Sequence, residues 1–232
     1  MIVLGIETAT MQVGCALGGV EGVLASFSAA HGRRHAETLA PAIQFLCEQS
    51  GIAVDEVGVV AVDTGPGLFT GLRVGVATAK GIAQALRVPM IGLSSLDLLA
   101  FPLRHSPRLI VAAIDARRGE VYTAWYRHVP GGVQRVRDPQ LMTPRDLASD
   151  LVALGEDVLL VGDGTIRYEA ELREVGGENA GLGHRYPTAS ALVELAQPKA
   201  LREEFVQPRE LEVMYLRQSD AEINWATREG GG

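Results

Sequence analysis

Lysine is nearly absent: only Lys80 and Lys199 stand among the 21 basic residues of this 232-residue chain, whose formal net charge is −7. That balance argues against a protein that grips nucleic acid unaided, because phosphate neutralisation supplies most of such affinity. Neither part is a basic module, since residues 1–100 carry 5 basic and 8 acidic side chains and the remainder 16 and 20. Cysteine is equally scarce. Cys15 and Cys47 sit apart in apolar periodic runs, with no CxxC and no zinc spacing, and read as two reduced, buried thiols of a cytoplasmic protein. No apolar stretch approaches the ~20 residues of a membrane span, and MIVLGIETAT lacks the regions of a signal peptide. There is no GxSxG nucleophile elbow and no repeat of solenoid period.

What is present is a succession of short elements. Residues 2–8, 12–18 and 22–28 read as three strands joined by tight turns, an opening antiparallel meander. From His35 to Gln49 the apolar spacing changes to threes and fours, with Leu39, Ile43, Leu46 and Cys47 on one face of a helix. VGVVAVDT (57–64) is apolar enough to be a strand covered on both faces. A helix over 70–86, a strand over 88–93 and a helix opened by Ser94 and Asp97 as a capping box complete the order β-β-β-α-β-α-β-α. Such an order predicts a five-stranded mixed sheet flanked by helices. After a polar linker at 103–108, residues 109–115 and 120–126 flank the hairpin Ala116-Arg117-Arg118-Gly119. A helix capped by Thr143 with Pro144 in its first turn, a strand over 158–164 and helices over 166–174 and 189–196 follow. The expected division is therefore 1–103, a smaller and less complete unit at 104–212, and a tail at 213–232 ending in a disordered ATREGGG (226–232).

The stretch DTGPGLFTGLRVG (63–75) is the densest feature. A phosphate-cradling Walker loop needs a lysine after its last glycine, where Leu72-Arg73 stands, and the glycine spacing also misses the dinucleotide fingerprint. Gly65-Pro66-Gly67 predicts a sharp turn with positive φ on both sides of the proline, and Thr70 an N-cap. Below it, Gly71, Gly75, Ala79 and Ala83 recur every four residues as a flat stripe. Gly75 and Gly81 each cost a helix about 1 kcal/mol against alanine, so close approach of a neighbour should compensate. That neighbour is either within the domain or another protein chain.

The meander, HAETLAPAI (35–43), VDTGPGLFTGLRVGVATAKGIA (62–83) and IDARRGEVY (114–122) together resemble the bacterial TsaB (YeaZ) family. The resemblance implies the actin-like ATPase fold: α/β, two domains each built on a mixed sheet flanked by helices. It also implies a role in forming N6-threonylcarbamoyladenosine at position 37 of tRNA, beside a metal-bearing catalytic paralogue, TsaD, and a small ATPase, TsaE. Two departures stand out: Leu68 replaces the family's usual serine, and Met214 lies near the expected proline of a C-terminal P-x-Y-x-R stretch. Where the catalytic paralogue places the HxxxH of its metal site, this chain has Ser95 and Leu99, and leucine cannot ligate a metal.

The resemblance implies a non-catalytic subunit with no catalytic or metal residues of its own. Its partner surface is expected at His35, Leu39, Gly65, Pro66, Gly67 and Phe69, continuing through Thr70, Gly71, Arg73, Gly75 and Ala79. The same surface predicts a homodimer when the chain is alone, and tRNA is expected to be met indirectly, through the complex. ATP is expected to be used by the complex, with no intrinsic cofactor beyond weak nucleotide binding at a subunit junction. The first-strand turn of actin-like kinases reappears as Glu7-Thr8-Ala9-Thr10, with a weak claim on nucleotide for Glu7, Thr8 and Thr10, because Ala9 replaces the glycine that lets phosphate approach. Asp63 and Asp115 read either as turn caps or as an acid–base pair, and His31 as a solvated side chain rather than a metal ligand beside His35. Arg117-Arg118 reads as a solvated knuckle or as a contact with tRNA or a partner. The alternatives are a stand-alone actin-like ATPase or kinase, which predicts tight magnesium–ATP binding, and a metallopeptidase, which predicts stoichiometric metal.

Overall fold

The computed structural model describes residues 1–30 and 35–217. The His31 and ATREGGG expectations lie outside the described residues. The meander forms as β1 (Ile2–Glu7), β2 (Val13–Gly19) and β3 (Gly22–Ala29), followed by α1 (His35–Ser50), β4 (Val57–Asp63), α2 (Phe69–Leu86), β5 (Met90–Leu93) and α3 (Ser95–Ala100). The first sheet has the order β3-β2-β1-β4-β5, with β1 antiparallel to β2 and parallel to β4. Then come β6 (Leu109–Arg117), β7 (Glu120–Val129), β8 (Gly132–Met142), α4 (Pro144–Leu154), β9 (Val158–Val161), α5 (Asp163–Arg167), α6 (Glu169–Leu172), β10 (Glu178–Asn179) and α7 (Ala189–Leu201). Read from its far edge, the second sheet is β8-β7-β6-β9-β10, the same topology with β6 parallel to β9. Each central pair of parallel strands thus delivers its carboxyl ends to the space between the sheets.

Central strands read as apolar runs because both faces are covered. Leu4, Ile6, Val60 and Val62 face α1 and α2, while Val3, Val59 and Ala61 face Leu192, Val193 and Ala196 of α7. Helix α7 comes close: a Cβ at Gly5 would lie 2.9 Å from Val193. The strands divide between the sheets near residue 103, but the helices do not. Leu96 and Leu99 of α3 bury against Ile110, Ala112 and Tyr126 of the second sheet, whereas α7 returns to the first. Strand β8 escaped the sequence reading because it is an edge strand carrying Arg135, Arg137 and Pro139, residues that protect an edge and read as loop.

Local expectations meet mixed outcomes. Thr143 caps α4 as expected, accepting from the Asp146 N–H. Helix α2 begins earlier than the sequence implied, with Leu68 at the N-cap and no side-chain cap bond, so Thr70 is an exposed first-turn residue and not the cap. Ser94 accepts from Leu96 N, but Asp97 does not close the box; its carboxylate takes the Tyr126 hydroxyl at 2.8 Å and Arg135 at 2.6 Å. The tail crosses both lobes. Met214 donates its N–H to Thr64 O at 2.8 Å, a bond a proline there would lack, and Arg217 donates to Ala116 O at 2.8 Å and pairs with Glu120.

Candidate functional site

Strand β1 ends in Glu7 and its parallel neighbour β4 in Asp63, with Ile6 opposite Val62 in register. Glu7 is fully buried. Its Oε1 accepts the Ala9 N–H at 2.7 Å and Oε2 has no partner. Asp63 Oδ1 accepts from Gly65 N at 2.7 Å and from the Ser95 hydroxyl at 2.6 Å, leaving Oδ2 unpaired. Burial, reinforced by the Asp63 charge, holds Glu7 well above the ordinary carboxylate range. Burial likewise pushes Asp63 up to about 7, against the lowering bonds from Ser95 and Gly65.

The turn that follows Glu7 is sealed by α2. Thr8, Ala9 and Thr10 are all buried, and the Thr8 hydroxyl donates to Gly71 O at 2.8 Å while Leu68 N donates to Ala9 O at 2.7 Å. The glycines are there for closeness. A Cβ on Gly67 would lie 2.2 Å from Ala9 O, one on Gly71 2.1 Å from Thr8 O, and one on Gly75 2.2 Å from Thr8 Oγ1. Positive φ is needed only at Gly65 (+100°), so the expectation of positive φ on both sides of Pro66 is corrected. Magnesium–nucleotide binding of the actin-like kind does not fit this turn, because no carboxylate or backbone N–H of residues 7–10 reaches solvent.

The expected partner surface divides. Gly71, Gly75 and Ala79 are buried under the chain's own β1–β2 turn and first-sheet core, so the flat stripe is an interior seam and neither a helix crossing nor an outer face. Gly65 and Pro66 are buried, Gly67 is half-buried, and Leu39 is in the core. His35 is also covered, its Nε2 bonded to Thr10 O at 2.9 Å and within 3.2 Å of Gln12 O. Only Phe69, Thr70 and Arg73 lie outside. The Arg73 guanidinium rests 3.7 Å from the Phe69 ring centroid, and the Tyr215 ring lies 5.5 Å from that of Phe69, tilted by 42°. Between the outer faces of α1 and α2 runs a cavity of about 410 Å³ lined by Ala40, Ile43, Cys47, Val54, Thr78 and Ile82. Phe45 of α1 is 52% exposed.

The second sheet repeats the strand-end acids. Asp115, buried, accepts from the Arg117 N–H at 2.9 Å and pairs with the guanidinium of Arg117 at 3.0 Å and of Arg167 at 3.4 Å. Asp163 accepts the Asp115 N–H at 3.0 Å, and burial pushes its carboxyl up to about 6. Asp63 and Asp115 are thus turn caps on different sheets rather than a pair sharing a proton. A cavity of about 300 Å³ lies beside Asp115 and Asp163, with Arg117, Arg167, Arg185 and Tyr186 around it and Met11 on the first-sheet side. Sequence reasoning missed Asp163, Arg167 and Arg185; the strand-end acid of VGDG, matching VDT and IDA, was the available signal. Ser95 is committed to Asp63 and Leu99 to the core. Among the described residues no three His, Cys, Asp or Glu side chains gather as for a metal, and no helix is long and apolar enough to cross a membrane.

A family model described as TsaD, tRNA N6-adenosine threonylcarbamoyltransferase, matches residues 22–225. The tRNA threonylcarbamoyladenosine biosynthesis protein TsaB of Bacillus subtilis is 31% identical over 228 residues, covering 97% of this chain and 98% of that protein. The solved YeaZ from Pseudomonas aeruginosa superposes with a TM-score of 0.79 at 28% identity, covering 93% of this chain and 99% of its own. A ROK hexokinase from Thermus thermophilus, at TM-score 0.50 and 13% identity over 84% of this chain and 98% of its own, shares the actin-like fold alone.

Proposed function

The chain belongs to the TsaB (YeaZ) family and takes part in threonylcarbamoyladenosine biosynthesis, and from that premise we propose that it is a non-catalytic subunit acting through a TsaD-like partner. The partner carries the metal and transfers the threonylcarbamoyl group from its adenylate to N6 of adenosine 37. This chain stabilises the active form of that partner and, with the ATPase TsaE, completes the assembly that uses ATP. The observation that carries the reading is the sealed turn: Glu7, Thr8, Ala9 and Thr10 are buried at 1% exposure or less, so the carboxylate that a kinase of this fold would use cannot meet a substrate. The same burial weighs against a stand-alone ATPase or kinase, and it supports the absence of an intrinsic cofactor at this turn.

Docking uses the outer faces of α1 and α2. There the apolar groove and the exposed Phe45 offer area to a helical pair, with Phe69 and Arg73 at the start of α2. A second copy seats in the same groove when the partner is missing. The test mixes this chain, TsaD, TsaE, tRNA and ATP, leaves out each in turn, and measures modified adenosine. Phe45→Glu and Ile82→Glu should each abolish co-elution with TsaD and reduce modification at least tenfold while the melting temperature stays within a few degrees. Full modification by either variant, or by this chain without TsaD, would overturn the proposal.

A further inference from the structure

The geometry points to the cleft lined by Arg117, Arg167 and Arg185 as a contact site for RNA phosphates, so that this chain touches the tRNA itself. The inference rests on the proposed place in a tRNA-modifying assembly, and it adds a surface to it. In a chain of net charge −7, Arg117, Arg167 and Arg185 line one cleft, and Arg118 follows Arg117 in the β6–β7 loop. They come from three separate segments: the β6–β7 hairpin, α5, and the stretch before α7. Phosphate recognition depends on such local density rather than on total charge.

Arg117, Arg167 and Arg185 are presented to solvent rather than consumed. Asp115 lies inside, its side chain 3% exposed, whereas the guanidinium-bearing side chains of Arg117 and Arg167 that neutralise it remain 46% and 56% exposed. Against the two carboxylates at the cleft, Asp115 and Asp163, the three guanidinium groups of Arg117, Arg167 and Arg185 leave one positive charge over. Arg185 has no carboxylate within ion-pair distance among the described residues, and its guanidinium lies 4.5 Å from the Tyr186 ring centroid. A planar cation on an aromatic ring is a platform of the kind on which unpaired bases stack.

The hairpin that carries Arg117 has a defined backbone conformation. Arg117 (φ 62°) and Arg118 (φ 57°) both adopt the left-handed region, which residues bearing a side chain seldom occupy. Arg118-Gly119 forms the two-residue loop between β6 and β7, where Asn or Gly is the usual first residue. The register shift between Asp115 and Arg117 and the two-residue loop together hold the hairpin in this conformation, with Arg117 at the cleft.

The cleft's two walls favour a strand of RNA over a clamped mononucleotide. A nucleotide between lobes needs donors on both sides, and the first-sheet wall presents Met11 with residues 7–10 sealed behind it. The cations line one wall only, which suits a backbone lying across the mouth.

Arg167→Gln and Arg185→Gln, singly and together, test this in the complex of this chain with its catalytic partner, using tRNA over a range of salt. Arg117 continues to neutralise Asp115 in both variants. The slope of log affinity against log salt should shrink by about 0.7–0.9 per arginine removed, with association of the two proteins and the melting temperature unchanged. Wild-type slope and affinity in the double variant would overturn the inference. So would saturable binding of AMP or inorganic phosphate that is lost in Arg185→Gln while the RNA slope stays put, which assigns the site to a small ligand. If the wild-type chain fails to join the partner, the proposed function falls separately. Photo-cross-linking of thiouridine-bearing tRNA to the isolated chain then decides the cleft: adducts at Arg117, Arg118 or Tyr186 support it, and adducts elsewhere alone overturn it.

Discussion

Replacing Gly71 by alanine asks whether the small-residue stripe of α2 is an interior seam or a docking face. The new methyl would sit 2.1 Å from the Thr8 carbonyl oxygen, whereas ordinary contact begins at 3.4 Å. Helix and strand end must therefore part by about an ångström, with backbone on both sides and no rotamer to yield. Overpacking of this sort costs about 1–3 kcal/mol and occasionally more, and the better helix propensity of alanine returns about 1 kcal/mol. At the upper end of that range, which a 2.1 Å approach to backbone selects, the net loss is about 2 kcal/mol, or about 4–8 °C in melting temperature for a chain of this size. Gly81 is the internal reference, since it lies in the same helix, is exposed and would have nothing within 4 Å of an added methyl. Gly81→Ala should gain about 1 kcal/mol. Gly75→Ala should lose stability as Gly71→Ala does, and Thr8→Ala should rescue it, because the obstructing atom is Thr8 Oγ1 at 2.2 Å. Melting followed by circular dichroism, beside co-elution with the partner, reads the outcome. If Gly71→Ala and Gly75→Ala melt like Gly81→Ala yet no longer associate, the stripe faces a partner and the packing argument is refuted.

The remaining expectations concern buried ionisable groups. Asp63, raised from 3.8 to about 7, binds its proton more tightly in the native state than in the unfolded chain. Stability should therefore fall as pH rises from about 4 to about 7 and stay low above it. Asp63→Asn keeps an acceptor for Gly65 N and Ser95, so its advantage in unfolding free energy, read from urea titrations, should widen between pH 5 and pH 8 by a few kcal/mol in order of magnitude; an advantage independent of pH refutes this. Burial pushes the Cys15 thiol up to about 12, whereas Cys47 is only partly covered. A thiol reagent at pH 8 should label Cys47 promptly and Cys15 only on unfolding, and simultaneous labelling would contradict the burial assigned to Cys15.

What could be read from residues in order was set by short-range physics. Strand alternation, the helical spacing of Leu39, Ile43 and Leu46, and the Thr143-Pro144 cap depend on neighbours within a few residues, so periodicity exposed them without a fold. The family was legible for the same reason, through the contiguous run 62–83. Which way the Gly71–Gly75–Ala79 stripe faces was not, because its neighbour is Thr8, 63 residues away from Gly71. The exchange of α3 and α7 between the sheets and the sealing of Glu7 arise likewise from the path of the whole chain. So does the gathering of Arg117, Arg167 and Arg185, which are scattered over 69 positions and meet only because β6, α5 and the approach to α7 converge on one cleft. Local spacing decides the elements; burial and electrostatics belong to contacts between distant segments, and only the tertiary structure supplies those.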